Sequence, residues 1–166
     1  MKAIGSILLI ISTTAIGFYL SIMVKRRMKL FKELSLFVSN VSSSIRFSGA
    51  DIATVLQQEC INVDIPFIET AIQYLKNGMS MSESWSTSVD NIPFAYGLSK
   101  EDKSIIKQFG DKLGATDVCG QTEHCEYFKN SFNGRAELLS SQYNNKVKVY
   151  RSLGFFNGLA LVLVIL

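Results

Sequence analysis

The sequence predicts an all-α protein: a six-helix bundle with membrane helices at both chain ends, the last bundle helix continuing into the C-terminal one. Three observations predict it. Apolar residues fall at Cys125, Phe128, Phe132, Ala136, Leu139, Tyr143, Val147 and Tyr150, in steps of three and four that mark the seam of a helix packed on other helices. Two uncharged runs, 3–24 and 152–166, flank the rest of the chain. Between them nothing alternates apolar with polar for long, and no Asn-Gly joins β-branched runs, so no strand is expected. The 166 residues give room for one domain of ordinary size. Hydrophobic content is 48% and mean hydropathy is +0.21, with the excess at the two ends.

The first 24 residues carry one charge, Lys2. As a helix, 3–24 would span ~33 Å, enough for a hydrocarbon core of ~30 Å. A secretory signal peptide would have about half this apolar length and a small-residue cleavage site. Here Lys25-Arg26-Arg27 follows directly, so residues 1–24 read as an uncleaved transmembrane helix. Residues 25–150 read as the helical bundle. Leu30, Leu34, Phe37, Val38, Val41 and Ile45 form an apolar stripe on a helix continuing from the membrane and ending near Ser48-Gly49. Residues 51–60 make a second helix with Ile52, Val55 and Leu56 inward. Pro66 suits the first turn of a third, 67–76, stopped by Asn77-Gly78. Ser80 to Glu83 has the form of a capping box and opens a fourth helix through Trp85 and Val89. Ser99-Lys100-Glu101-Asp102 starts a fifth, with Ile105, Ile106, Phe109 and Leu113 on one face. Gly114 suits a C-terminal cap, and Thr116 or Asp117 caps the long sixth helix. Gly134, inside that helix, marks a close crossing, a bend or a tolerated glycine.

The last run, 152–166, would span ~22 Å, and the helix can start earlier with Lys148 and Arg151 snorkelling. Its Leu, Ile, Val and Phe residues contribute about −3 to −6 kcal/mol to insertion, against Asn157. A buried core helix is the competing reading. The apolar residues face every direction, which favours a C-terminal transmembrane helix over 151–166.

Charges beside these runs set the expected topology. Lys25, Arg26, Arg27, Lys29 and Lys32 follow the first, and Lys146, Lys148 and Arg151 precede the second. Basic clusters near membrane helices mark the cytoplasmic side. Both flank the bundle, which is therefore expected in the cytoplasm of a multi-pass membrane protein. A nucleic-acid patch would also be basic, but the net charge is only +3 and both groups sit at membrane edges, so no nucleic-acid partner is expected.

Little in the chain points to chemistry. Cys60, Cys119 and Cys125 are an odd set without paired spacing, which fits a reducing compartment. His124 is the only histidine. On a helix, residues 119 and 125 diverge by ~240°, so they do not converge on a metal with His124. A membrane-anchored enzyme built on Cys119, His124 and Cys125 is the alternative from another class. There is no phosphate loop and no dinucleotide fingerprint. The expectation is no enzyme, no metal and no cofactor.

The most specific stretch is 107–117, KQFGDKLGATD, with Gln121 just beyond it. Phe109 and Leu113 anchor a helix end, Gly114 permits the turn, and Thr116 or Asp117 caps the next helix. This corner comprises Phe109, Gly110, Leu113, Gly114, Asp117 and Gln121. With the basic stop and the apolar final helix, it resembles the stage III sporulation protein AB family over nearly the whole chain. Thr116 stands where Ser is expected, a change that preserves capping. Glu83-Ser84-Trp85 lacks the Ala that precedes Trp in the family pattern.

The resemblance implies a relative of the cytoplasmic domain of F-type platform proteins of type II secretion and type IV pilus machines. It implies a place on the mother-cell side of the mother cell–forespore channel of endospore formation. The implied partners are a cytoplasmic secretion-type ATPase, the stage III sporulation protein AA, and other channel membrane proteins. A general secretion or pilus platform is the alternative, but those proteins carry two such cytoplasmic domains and this chain has one. For the ATPase-docking face the expectation is Lys100, Asp102, Lys103, Asp111 and Lys112.

Overall fold

Two helices of nearly equal length form the stem of the molecule: α1 (Lys2–Ser48) and α6 (Val118–Ile165). Between them in sequence come α2 (Ile52–Glu59), α3 (Ile68–Lys76), α4 (Met81–Asp90) and α5 (Lys100–Asp111), with 3-10 turns at Cys60–Asn62 and Phe94–Tyr96. This computed structural model describes the backbone of residues 2–48 and 51–165, and the side chains of 11–48, 51–143, 149, 152 and 156. The described residues are all-α, with no strand.

The stem is antiparallel. Phe31 packs on Phe132 with ring centroids 6.0 Å apart, and four residues along α1 Ser35 Oγ donates to the carbonyl of Lys129 at 3.1 Å. The α1 stripe is buried as its spacing predicts, from Leu30 to Ile45. The α6 seam is buried at Cys125, Phe128, Phe132, Ala136 and Leu139. Tyr143 is half-buried, and the side chains of Val147 and Tyr150 lie outside the described residues.

The four short helices pack against the stem around Trp85. This side chain is fully buried, with Phe37, Phe67 and Phe109 at centroid distances of 6.4, 5.0 and 5.4 Å. Its Nε1–H donates to the carbonyl of Ile106 at 2.8 Å, so the ring is buried without stranding its one donor. Ser80 and Glu83 make both bonds of the expected capping box, and Ser99 with Asp102 does the same for α5.

One boundary differs from expectation, and another is decided between two candidates. Pro66 lies before α3 rather than in its first turn, because Phe67 takes the N-cap position. At α6 the cap falls to Asp117, whose Oδ1 accepts from Gly120 N–H at 3.0 Å, leaving Thr116 free to meet Gln121. Gly134 is no crossing point among the described residues: a Cβ there would meet nothing within 4 Å.

Among the described residues no helix is long and apolar enough to cross a membrane. The expected spans are only partly covered by that statement. Side chains 1–10 and nearly all of 151–166 lie outside the described residues.

Candidate functional site

Both ends of α5 are tied to α6, by opposite means. At its C-terminal end stands the corner. Phe109 and Leu113 are buried. Gly110 lies against Trp85, and a Cβ there would stand 2.2 Å from Trp85 Cγ, so no side chain fits. Gly114 has φ +80°, a left-handed conformation that favours glycine. Gln121 holds the turn together from α6. Its Oε1 accepts from Gly114 N–H at 2.9 Å, and its Nε2 donates to the carbonyl of Lys112 at 3.0 Å and to Thr116 Oγ1 at 2.9 Å. Every residue of the expected corner thus has a structural task.

At the N-terminal end stands a junction of charges. Asp102 is completely buried. Its Oδ2 accepts from Ser99 N–H at 2.9 Å. Its Oδ1 accepts from Arg135 Nε and Nη2, each at 2.8 Å. Arg27 Nε stands 2.6 Å from Oδ2, an ion pair by distance although its N–H is not aligned for a hydrogen bond. One carboxylate therefore joins α1, α5 and α6. Burial pushes the Asp102 pKa up, but the Arg27 guanidinium, the Ser99 N–H and Arg135 outweigh it, and the net direction is down.

This corrects the expected docking face. Asp102 cannot meet a partner, because it is spent inside the bundle. Lys100, Asp111 and Lys112 are exposed and Lys103 is half-buried. Lys100, Lys103 and Asp111 border a shallow groove together with Asp90 and Lys107, where Lys103 Nζ donates to the carbonyl of Asp90 at 2.9 Å and Lys107 pairs with the Asp90 carboxylate at 2.7 Å. Asp111 accepts from Ser82 Oγ at 2.7 Å. Of the charges expected to set topology, Lys25 and Arg26 are exposed and Arg27 belongs to the junction. The side chains of Lys146, Lys148 and Arg151 lie outside the described residues.

The Cys119–His124–Cys125 set does not assemble a nucleophile. His124 Nε2 lies 2.8 Å from the carbonyl of Phe109, its natural acceptor, and the ring stacks on Phe109. Cys125 faces the core, and burial pushes its thiol up to about 12, far from the thiolate that nucleophilic attack needs. Cys119 is exposed beside Glu123. No cluster of metal-ligating residues occurs among the described residues.

The corner, a carboxylate joint behind it and the paired long helices run the length of the chain, and so does its likeness to known proteins. The sequence model of the family Stage III sporulation protein AB (spore_III_AB) matches residues 2–166. The chain belongs to this family. Its role is therefore one in sporulation, at stage III. A similar family member, the Stage III sporulation protein AB of Bacillus subtilis (strain 168), is 25% identical over 171 residues, covering 100% of this chain and 99% of the relative. No solved structure matches.

The junction left a sequence signal that composition hides. Arg27, Leu30, Leu34, Phe37 and Val41 step by three and four, as do Phe128, Phe132, Arg135 and Leu139. An arginine in phase with an apolar seam needs a buried acid opposite it, and Asp102 is that acid.

Proposed function

We propose that the chain is a non-enzymatic inner-membrane platform component of the mother cell–forespore channel, whose bundle docks a cytoplasmic secretion-type ATPase. The observation that carries this reading is the antiparallel stem. At the end where the apolar run of α1 lies, Leu20 and Val24 of α1 share a cleft with Leu139 and Gln142 of α6. On α1, Ile11 is 59% exposed and Ile16 61%, with Tyr19 and Leu20 also exposed. Apolar surface of that extent calls for a cover, and a bilayer supplies one. The basic residues Lys25 and Arg26, at the end of the apolar run, favour a cytoplasmic bundle. A continuous α6 would then carry motion from a docked motor to partners in the membrane.

Two experiments test this. A tag inserted at residue 90 should resist protease added outside intact cells and be cut after lysis. Cleavage in intact cells would overturn the topology. For the docking face, Lys100, Lys103, Asp111 and Lys112 remain the candidates. Reversing Asp111 and Lys112 together (Asp111→Lys with Lys112→Glu) should weaken pull-down of the secretion-type ATPase while leaving the melting temperature near wild type. Unchanged pull-down would reject that face.

A further inference from the structure

We propose that the cleft beside Arg27 binds the phosphate of an anionic phospholipid headgroup, with the lipid's chains lying along the apolar wall of α1. The site rests on the membrane reading above and extends it to a specific ligand. The cleft, about 170 Å³, opens between α1, α6 and the turn after α4. Its polar side is Arg27 and Gln142; its apolar side is Leu20, Val24 and Leu139. Gly97 closes it from the turn, so near α1 that a Cβ there would lie 3.3 Å from Met23 Cε.

The charge around Arg27 is unbalanced. Asp102 gives one negative charge to two guanidinium groups. Arg135 also feels Glu101, whereas no second carboxylate stands within ion-pair distance of Arg27 among the described residues. A guanidinium has five donors, and Asp102 engages one edge of this one. The Arg27 side chain is 19% exposed, so what remains of its charge is poorly screened and opens on the cleft. A planar donor fork is the group that phosphate oxygens fit best.

The surroundings select a lipid phosphate over a soluble one. The aliphatic wall, Leu20 and Val24, lies beside Arg27 on the helix that carries the apolar run. Phe94, on the same turn as Gly97, is 84% exposed, and exposed aromatics at this level are typical of a membrane–water interface. Lys25 and Arg26, exposed on the turn before Arg27, draw an anionic surface.

The test uses the full chain in nanodiscs of phosphatidylcholine mixed with phosphatidylglycerol, with retained lipid read by native mass spectrometry. Wild type should keep phosphatidylglycerol over phosphatidylcholine by about tenfold, because the choline cation beside the latter's phosphate offsets its charge and is repelled by Arg27, Lys25 and Arg26. Gln142→Glu places a carboxylate in the cleft without touching Asp102. It should abolish the preference while the melting temperature holds. Arg27→Gln should abolish it too, with a loss of stability. Equal retention of both lipids by wild type, or an undiminished preference in Gln142→Glu, would overturn the site while leaving the membrane reading intact. A chain that does not enter the discs would overturn both. A further arm compares inorganic phosphate with short-chain phosphatidylglycerol on the detergent-solubilised chain. If phosphate alone raises the melting temperature as much, the site is a phosphate site and the lipid assignment falls.

Discussion

The two ends of α5 do the same job with different materials. At the C-terminal end neutral hydrogen bonds from Gln121 join the turn after α5 to α6, while Gly110 packs α5 closely against the indole ring of α4. At the N-terminal end one buried carboxylate and two arginines join α5 to α6, and bring in α1 as well. The corner is made of residues close in the chain: Gln121 reaches back seven positions to Gly114. The junction spans 33 positions between Asp102 and Arg135, and more to Arg27. Neutral contacts tolerate changes in pH and salt. A buried charge set is stable only while every member is present, since removing one strands the others. The corner is therefore a fixed elbow, and the junction is the joint that can be broken by a single proton or substitution.

Breaking the junction should give the largest effect. Asp102→Ala leaves two half-buried guanidinium groups facing each other and removes half of the α5 capping box; a loss of about 3–4 kcal/mol is expected in denaturant unfolding of the full chain. The pH dependence has a definite sign. The folded carboxyl lies below its ordinary value of about 3.9, so its contribution is complete above that pH and fades as pH falls below it. Acid titration of wild type should show this loss, and Asp102→Asn should flatten it. Gly110→Ala attacks the corner by volume. Trp85 is pinned by its Nε1 bond and three phenylalanines, so about 2–3 kcal/mol should be lost, with no change in the acid limb. Next come two glycines in opposite settings. Gly114→Ala should lose about 1–2 kcal/mol through its left-handed backbone and a Cβ 3.0 Å from Ile52 Cγ2. Gly134→Ala, with open space on an α6 face, should gain up to about 1 kcal/mol. The smallest effect tests the departure from the family pattern before Trp85. Ser84 is fully buried, and its Oγ has no hydrogen-bond partner among the described residues. Ser84→Ala should raise stability by about 1 kcal/mol in thermal melts.

The same contrast explains what can be read in the sequence. Helical spacing locates Leu30 to Ile45 and Cys125 to Leu139, because burial repeats with the helix period. Ser80 with Glu83, and Gly114 with Gln121, are legible because their partners lie within ten residues; the approach of Gly110 to the distant Trp85 is not. Asp102 is readable as the acid of a helix start, and it does fill that place. Its burial is not, because that depends on Arg27 and Arg135 arriving from distant turns. Charge alone suggests an exposed docking face for Asp102, and only a membrane-edge role for Arg27. Pro66 misses its expected place, and of Thr116 and Asp117, both of which suit the α6 cap by residue type, Asp117 takes it, since cap identity turns on backbone angles that residue type does not determine.

Trp85 is the only tryptophan in the chain, and it sits where residues from α1, α5 and the start of α3 surround α4. Its fluorescence is thus an intrinsic reporter at a single known address. A red shift in emission would signal that the short helices have parted from the stem, without any label. Motor engagement that loosens the bundle would be visible by the same signal in real time.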